Sequence, residues 1–468
     1  MGRSPAEEKE PALRLTNDNG SFRNDGNGAP PPTMFFEMGW RVGDRSKDQK
    51  EKRRMMMLLS ADYLSFSSNV CFLREFNRSF GLDSRRRRKI GRCCRATLIT
   101  NSESFEVGRL IGSYGFMNIT SYSGFQSGMG MEFVPEDVGR FRAQDVGEGS
   151  VNIRLYEGRI AQGPLRGTSV IFKVYPGQQV GGFEADSMAA NELSAHASLQ
   201  SNSKAVACQN IQVLLGGFET KTGEQWLAFR NDGKYTAADY AKVASEKMSK
   251  ISDLGGQRNW NPFEKDETVK RRRYFVTKLL QGTIRGLAYM HDHDRLHQSL
   301  GPASVVLNTM AEKEASYLIP RLRDLAFSVD VRYSEIEGDT RTLSEGLWRR
   351  ASVAGAFTLM EKRAFGIADD IYEAGLLFAY MAFIPFCEAG VMDSLSLRRL
   401  LENTFKLDVQ AMREYCLADD RLLEAVKFLD LGDGAGWELL QAMLNGDFRQ
   451  RPIAEAVLNH RFLAGAFV

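Results

Sequence analysis

The sequence is poor in cysteine and has no long hydrophobic run. Its six cysteines are scattered along 468 residues without the spacing of a zinc site or a disulfide framework, which suits a reducing compartment. The longest apolar run, Ala374–Phe386, is shorter than the roughly 20 residues that cross a bilayer. We therefore expect a buried helix at this run and no transmembrane segment.

The chain also lacks a strong excess of either charge, since its formal net charge is +2. Residues 1–104 hold 20 Lys/Arg against 13 Asp/Glu, which leaves 41 against 46 for residues 105–468. The body of the chain is therefore mildly acidic, which argues against a nucleic acid partner. The basic run Lys270–Arg273 is expected to be a solvated face of a helix.

The first 96 residues have two compositions, and neither is typical of a packed core. Residues 1–54 combine Pro30–Pro32 with Asn-Gly and Asp-Gly pairs, so we expect a disordered extension. Residues 55–96 are rich in Ser and Arg and poor in acid, which is typical of an organelle transit peptide; the alternative is a basic tail or a nuclear-localisation patch. An import signal here would require translation to start at the triplet Met55–Met57.

The serines in this segment favour import into the chloroplast over the mitochondrion. If residues 55–96 are only a basic tail, the cytoplasm or nucleus is the alternative location.

Residues 105–137 alternate apolar side chains with glycines, including Gly108, Gly112 and Gly115. This pattern predicts short strands in a β-rich extension that packs on the neighbouring lobe. The segment could instead be a phosphate-binding loop. However, 57 residues separate Gly115 from Lys173, the candidate phosphate lysine, and we favour the extension.

The stretch Tyr289–Asn308 reads YMHDHDRLHQSLGPASVVLN and carries most of the information about function. It resembles the catalytic-loop region of protein kinases, H-R-D-L-K-P-x-N followed by a short apolar strand. Two later segments resemble the helical lobe of the same family: DIYEAG at Asp370–Gly375 and RPIAEAVLNHRFL at Arg451–Leu463. The chain is therefore identified as similar to protein kinases.

This resemblance implies an α+β, two-lobed domain over residues 139–465. The small β-rich N-lobe would cover residues 139–230 and the larger helical C-lobe residues 231–465. In kinases a glycine-rich loop covers the ATP phosphates, and Gly147 and Gly149 match two of its three glycines.

Five further residues would face the cofactors that the family uses, ATP and Mg²⁺. Lys173 ends the V-I-F-K tetrapeptide, which resembles the V-A-I-K of the phosphate-binding lysine, and Glu192 would be its helical partner. Arg230 and Asp232 lie at the strand end and hinge where the family binds adenine. Asp324 stands at the position of the metal-binding aspartate, in D-L-A instead of D-F-G.

The groups that transfer phosphate are replaced. Ser299 stands where kinases have the catalytic aspartate, and Ser304 where they have the metal-binding asparagine. Gly301 replaces the lysine of the catalytic loop, and Gln298 replaces the arginine. A serine hydroxyl cannot accept a proton at neutral pH as a carboxylate does.

The pattern therefore predicts a catalytically impaired pseudokinase that binds ATP and acts on a protein partner as a regulator or scaffold. The alternative is an atypical active Ser/Thr kinase that phosphorylates a protein substrate and recruits another carboxylate, such as Asp292 or Asp294. A third hypothesis is an interaction domain whose nucleotide cleft is filled.

Overall fold

A computed structural model describes residues 98–116, 144–145, 151–201, 208–254, 262–332 and 342–464. Over these ranges the chain forms a small lobe built on a β-sheet and a larger helical lobe. This is the two-lobed α+β architecture predicted from the kinase resemblance. The predicted tail 1–54, the predicted transit peptide 55–96 and the loop glycines Gly147 and Gly149 lie outside the described residues.

The small lobe is organised by one antiparallel sheet. Its strands are β1 Phe105–Phe116, β2 Gln144–Asp145, β3 Val151–Ile160, β4 Ser169–Tyr175, β5 Leu214–Glu219 and β6 Gln225–Arg230. They are ordered β2-β1-β3-β4-β6-β5. Strand β1 pairs with β3 along its length, from Phe105 opposite Ile160 to Phe116 opposite Val151. Residues 105–116 are thus a strand of the main sheet of the small lobe. The kinase resemblance placed the start of the kinase-like domain at residue 139, so the sheet includes residues that precede this boundary.

Alternation along β4 gives the small lobe two layers. Phe172 and Val174 are buried in an outer cluster, so Lys173 and Tyr175 project from the opposite face. On that inner face Tyr175 packs in a cluster with residues of helix α1, Gln178–Ser201. A lysine is therefore placed in an apolar layer, where its charge needs partners.

The larger lobe is helical. Its helices are α2 Ala237–Leu254, α3 Pro262–Asp292, α4 Thr342–Val353, α5 Leu359–Phe383, α6 Ser394–Arg399, α7 Val409–Leu417, α8 Leu423–Leu429, α9 Leu431–Met443 and α10 Ala454–Asn459. Helix α5 begins at a capping box, in which Thr358 and Glu361 each accept a hydrogen bond from the other's backbone N–H. Most of the apolar run Ala374–Phe386 is buried, which confirms the predicted core helix.

Short strands bring two loops together beneath the small lobe. They are β7 Tyr235–Thr236, β8 Arg295–Leu296, β9 Val305–Leu307, β10 Arg321–Leu322 and β11 Val329–Asp330. Strand β8 pairs with β11, and β9 pairs with β10. The loop from β8 to β9 and the loop from β10 to β11 therefore lie side by side, and they carry the predicted catalytic and metal positions.

Candidate active site

Lys173 and Glu192 form a buried ion pair between the sheet and helix α1. The Lys173 Nζ atom lies 2.7 Å from Glu192 Oε2 and 2.7 Å from Asp324 Oδ1. The lysine side chain is 5% exposed and both carboxylates are 1% exposed. Burial would lower the pKa of Lys173, but the Asp324 and Glu192 carboxylates outweigh it and hold that pKa well above its usual value. The lysine is therefore a permanent cation.

Asp324 has its carboxylate surrounded by donors from this chain. Its Oδ1 atom accepts hydrogen bonds from Lys173 Nζ and from the Tyr114 hydroxyl, each at 2.7 Å. Its Oδ2 atom lies 3.1 Å from Arg323 Nε. Burial would raise the pKa of Asp324, but the Lys173 and Arg323 charges hold it below its ordinary value. The group is thus an ionised carboxylate that is already neutralised.

The backbone turns sharply at Asp324, and the segment that follows packs against helix α1. Asp324 has a φ of 66°, a left-handed conformation that aspartate tolerates better than most residues. A 3₁₀ turn follows, Leu325–Phe327. The Asn191 amide donates to the carbonyls of Ala326 and Ser328, each at 2.8 Å. The segment after Asp324 is therefore hydrogen-bonded to helix α1. Ala326, which stands in place of the family's glycine, is buried in this contact.

Tyr114 is a residue of this site that the sequence did not reveal. It comes from strand β1, and its ring centroid lies 5.7 Å from Lys173 Nζ and 5.5 Å from Arg323 Cζ. Burial and the Asp324 carboxylate raise the pKa of Tyr114 well above its usual value, so the hydroxyl stays a neutral donor. The only signal was G-S-Y-G at the end of a strand pattern, far from the other site residues along the chain.

Hydrogen bonds to Asp370 of helix α5 hold the predicted catalytic loop, which runs from β8 to β9. Its carboxylate accepts from the backbone N–H of His297 at 2.8 Å and of Gln298 at 2.9 Å. The Gln298 side chain also donates to it at 3.0 Å, so the residue in the family's arginine position points inward. Burial lowers the pKa of His297, which favours a neutral, structural histidine.

Ser299 occupies the base position, and its hydroxyl is hydrogen-bonded to no carboxylate among the described residues. Its hydroxyl donates to the backbone carbonyl of Asp324 at 2.8 Å and lies 3.4 Å from His297 Nδ1. Asp294, one of the two alternative bases, instead pairs with Arg363 at 2.6 Å. Asp292, the other, is exposed on the last turn of α3. The structure does not bring either carboxylate to Ser299.

Ser304 is turned away from the cleft into its own loop. Its hydroxyl donates to Gly301 O at 2.8 Å and accepts from Gly301 N at 2.9 Å, and the residue is fully buried. Magnesium requires several oxygen ligands in near-octahedral geometry, whereas Asp324 and Ser304 have their oxygens engaged by protein donors. The donor set does not fit Mg²⁺. Nor do the ranges described for this chain contain any cluster of three or more His, Cys, Asp or Glu side chains that could hold a metal ion.

The two predicted hinge residues brace each other. Arg230 Nε lies 2.7 Å from Asp232 Oδ1, and Arg321 Nε lies 3.3 Å from Asp232 Oδ2. Asp232 thereby links the strand end of the small lobe to strand β10 of the large lobe. Lys173, Glu192 and Asp324 are thus brought together, while Arg230 and Asp232 form a separate group.

Comparisons with known proteins identify kinases of similar sequence, although no protein-family model matches the chain. The chain is 23% identical over 261 residues to the chloroplastic serine/threonine-protein kinase STN7 of Arabidopsis thaliana, covering 52% of this chain and 44% of that protein. It is 22% identical over 262 residues to the chloroplastic kinase STN8 of the same plant, covering 51% and 49%. The chain thus spans about half the length of these curated relatives.

A comparison with solved structures matches the chain to a Stt7 homolog from Micromonas algae soaked with ATP. The match has 18% identity and a TM-score of 0.47, and covers 81% of this chain and 97% of that one. No helix in the described ranges is both long enough and apolar enough to span a membrane.

Proposed function

We propose that this chain, which belongs to the protein kinase superfamily, is a catalytically impaired kinase that acts on a protein partner through its conformation. The observation that carries the proposal is Ser299, whose hydroxyl donates a hydrogen bond to the Asp324 backbone carbonyl and has no carboxylate partner among the described residues. Phosphoryl transfer depends on positioning and charge neutralisation by metal ions, a phosphate lysine and a base that orients the acceptor. Of these three parts, the described residues supply the lysine, Lys173, together with its partner Glu192.

The magnitudes favour an inactive enzyme. General-base assistance contributes roughly 10²–10⁴-fold to a rate, and Ser299 cannot provide it at neutral pH. Ser304 uses its hydroxyl within its own turn, and Gly301 has no charge to offer the transferring phosphoryl group. Losses within one catalytic group of residues are not additive. However, Ser299, Ser304 and Gly301 each stand in place of a residue that takes part in the same transfer step.

We propose ATP as the ligand of the cleft, and the Lys173–Glu192 pair supports this proposal. The Lys173–Glu192 pair at 2.7 Å is the arrangement in which a kinase lysine contacts the α and β phosphates. Because the donor set does not fit Mg²⁺, ATP would bind through the chain's own cations, Lys173 and Arg323. Nucleotide and partner would then influence each other through helix α1, which carries Glu192 and Asn191.

A transfer assay with γ-labelled ATP tests this proposal. We expect a rate at least about 10²-fold below the 1–100 s⁻¹ that is typical of active kinases. The measurement is label incorporated into the chain itself and into a generic acceptor protein, with an active Ser/Thr kinase run alongside. Lys173→Arg serves as the matched variant because it keeps the positive charge.

Incorporation that Lys173→Arg abolishes would instead support the alternative, an atypical active Ser/Thr kinase. The names of the relatives STN7 and STN8 are consistent with that alternative. It would require a carboxylate to move to Ser299, and Asp294 would have to leave its 2.6 Å pair with Arg363.

We also propose that the protein works in the chloroplast. Both curated relatives are chloroplastic, and residues 55–96 have the composition of a transit peptide. Residues 55–104 fused to a fluorescent reporter should carry it into chloroplasts. A diffuse cytosolic signal would contradict import.

A further inference from the structure

We propose that Tyr114 is an internal occupant of the nucleotide cleft, which closes its phosphate end until strand β1 moves. This inference rests on the proposed function, because it describes how the same site would be regulated. It assigns a role to a strand that the sequence placed outside the kinase-like domain.

The contacts of Lys173 leave little room for a phosphate. Two sides of the ammonium group face the carboxylates of Glu192 and Asp324 at 2.7 Å. The rings of Tyr114 and Tyr175 lie with their centroids 5.7 Å and 5.4 Å from it. On this proposal, a phosphate oxygen that contacts this lysine takes the space that the Tyr114 ring occupies. Nucleotide and Tyr114 therefore compete for one position.

The Tyr114 hydroxyl also takes the place of a ligand at Asp324. It donates to Oδ1 at 2.7 Å, the same oxygen that accepts from Lys173. Two cations, Lys173 and Arg323, are matched by two carboxylates, Glu192 and Asp324. The four side chains together carry no net charge. A phosphate group is therefore attracted only weakly to the two cations while both remain paired with carboxylates.

Strand β1 has a structural means of withdrawing the tyrosine. Its pairing with β3 shifts register between Val107 and Leu110 and again between Leu110 and Gly112, and such irregularities weaken the ladder locally. Gly112 has open space where a side chain would stand. Beyond this point β1 is flanked on its outer side by the two-residue strand β2. We place the bend at these irregularities, and the regularly paired end of β1 that carries Tyr114 would move as a unit.

Titration of the full chain with the fluorescent nucleotide mant-ATP tests the proposal. If the closed state holds at least nine tenths of the molecules, Tyr114→Leu should lower the apparent Kd by about ten-fold or more. Leucine keeps apolar contact with the inner cluster. Tyr114→Phe loses only the hydroxyl and should give a smaller gain of about two-fold or more. Tyr415→Leu is the matched control, since Tyr415 is exposed on helix α7 of the large lobe, and its Kd should equal the wild-type value.

Equal affinities for wild type, Tyr114→Leu and Tyr114→Phe, or no binding by any of them, would overturn the proposal. Should Tyr114→Leu fail to fold, the Tyr114→Phe comparison decides alone. A labelled-phosphate assay on Tyr114→Leu separates this inference from the proposed function. Tighter binding without transfer supports both, whereas tighter binding with transfer retains the closing role of Tyr114 and overturns the impaired catalysis.

Discussion

Replacing Lys173 with methionine should lower the free energy of unfolding by about 3–5 kcal/mol, the usual cost of breaking a buried ion pair from one side. The ammonium group lies between the carboxylates of Glu192 and Asp324, each 1% exposed. Without it, Glu192 loses the lysine cation, while Asp324 still has the Arg323 cation and the Tyr114 hydroxyl beside it. Urea denaturation at neutral pH measures the loss.

The pH dependence of this loss identifies its cause. In the wild type the lowered pKa of Asp324 makes its charge stabilising above the ordinary carboxyl pKa, and that contribution is lost as the pH falls below it. In Lys173→Met an uncompensated buried carboxylate should have a raised pKa and take up a proton on acidification. The difference between the two proteins should therefore shrink as the pH falls.

The matched control is Lys242→Met, the same chemical change on the exposed face of helix α2. It should stay within about 0.5 kcal/mol of the wild type. A loss for Lys173→Met no larger than that of Lys242→Met would contradict the buried cluster. A loss that does not change with pH would show that packing, rather than charge, is responsible.

Replacing Asp370 with alanine should lower the free energy of unfolding by a similar amount, about 3–5 kcal/mol. The fully buried carboxylate accepts from the backbone N–H groups of His297 and Gln298 and lies 3.0 Å from His291 Nε2. Alanine leaves these donors buried without an acceptor. Urea denaturation again provides the measurement.

Two further variants bracket this prediction. Asp370→Asn keeps one acceptor oxygen and should lie between alanine and the wild type. The exposed Asp420→Ala should change stability by less than about 0.5 kcal/mol. If Asp370→Ala proved as stable as Asp420→Ala, the catalytic loop would have to be held by other contacts.

The lobes and the lysine site were predictable because local patterns carry them. Lys173 follows from a V-I-F-K strand, and Asp370 from D-I-Y-E-A-G at the start of a buried helix segment. Each pattern is a short run whose geometry is set within one element. Lys173 faces Glu192 if strand β4 and helix α1 pack against each other as they do in the family.

Tyr114 was not predictable because its role depends on contacts across the chain. Its hydroxyl meets Asp324, which is 210 positions away along the chain. Glycines at Gly112 and Gly115 predicted strands but not the sheet that they join, and the pairing of β1 with β3 decides which face Tyr114 occupies. Alternation in a strand gives two faces without saying which one is inside.

The state of Asp324 was hidden for the same reason. A carboxylate in D-L-A, at the position of the family's D-F-G, indicates a metal ligand when it is considered alone. In the folded chain it is engaged by Lys173, Arg323 and Tyr114, and two of these donors are separated from it by more than a hundred residues. Whether a carboxylate is already surrounded by donors depends on the folded site and cannot be predicted from its local sequence.

The most direct test of the central claim is a crystal structure of the full chain grown with Mg²⁺ and a non-hydrolysable ATP analogue. The account predicts that Asp324 keeps its contacts with Lys173 and Arg323, that no metal ion lies within bonding distance of its carboxylate, and that no carboxylate lies beside Ser299. A magnesium ion bound by Asp324, with Asp292 or Asp294 turned towards Ser299 and the nucleotide, would contradict it.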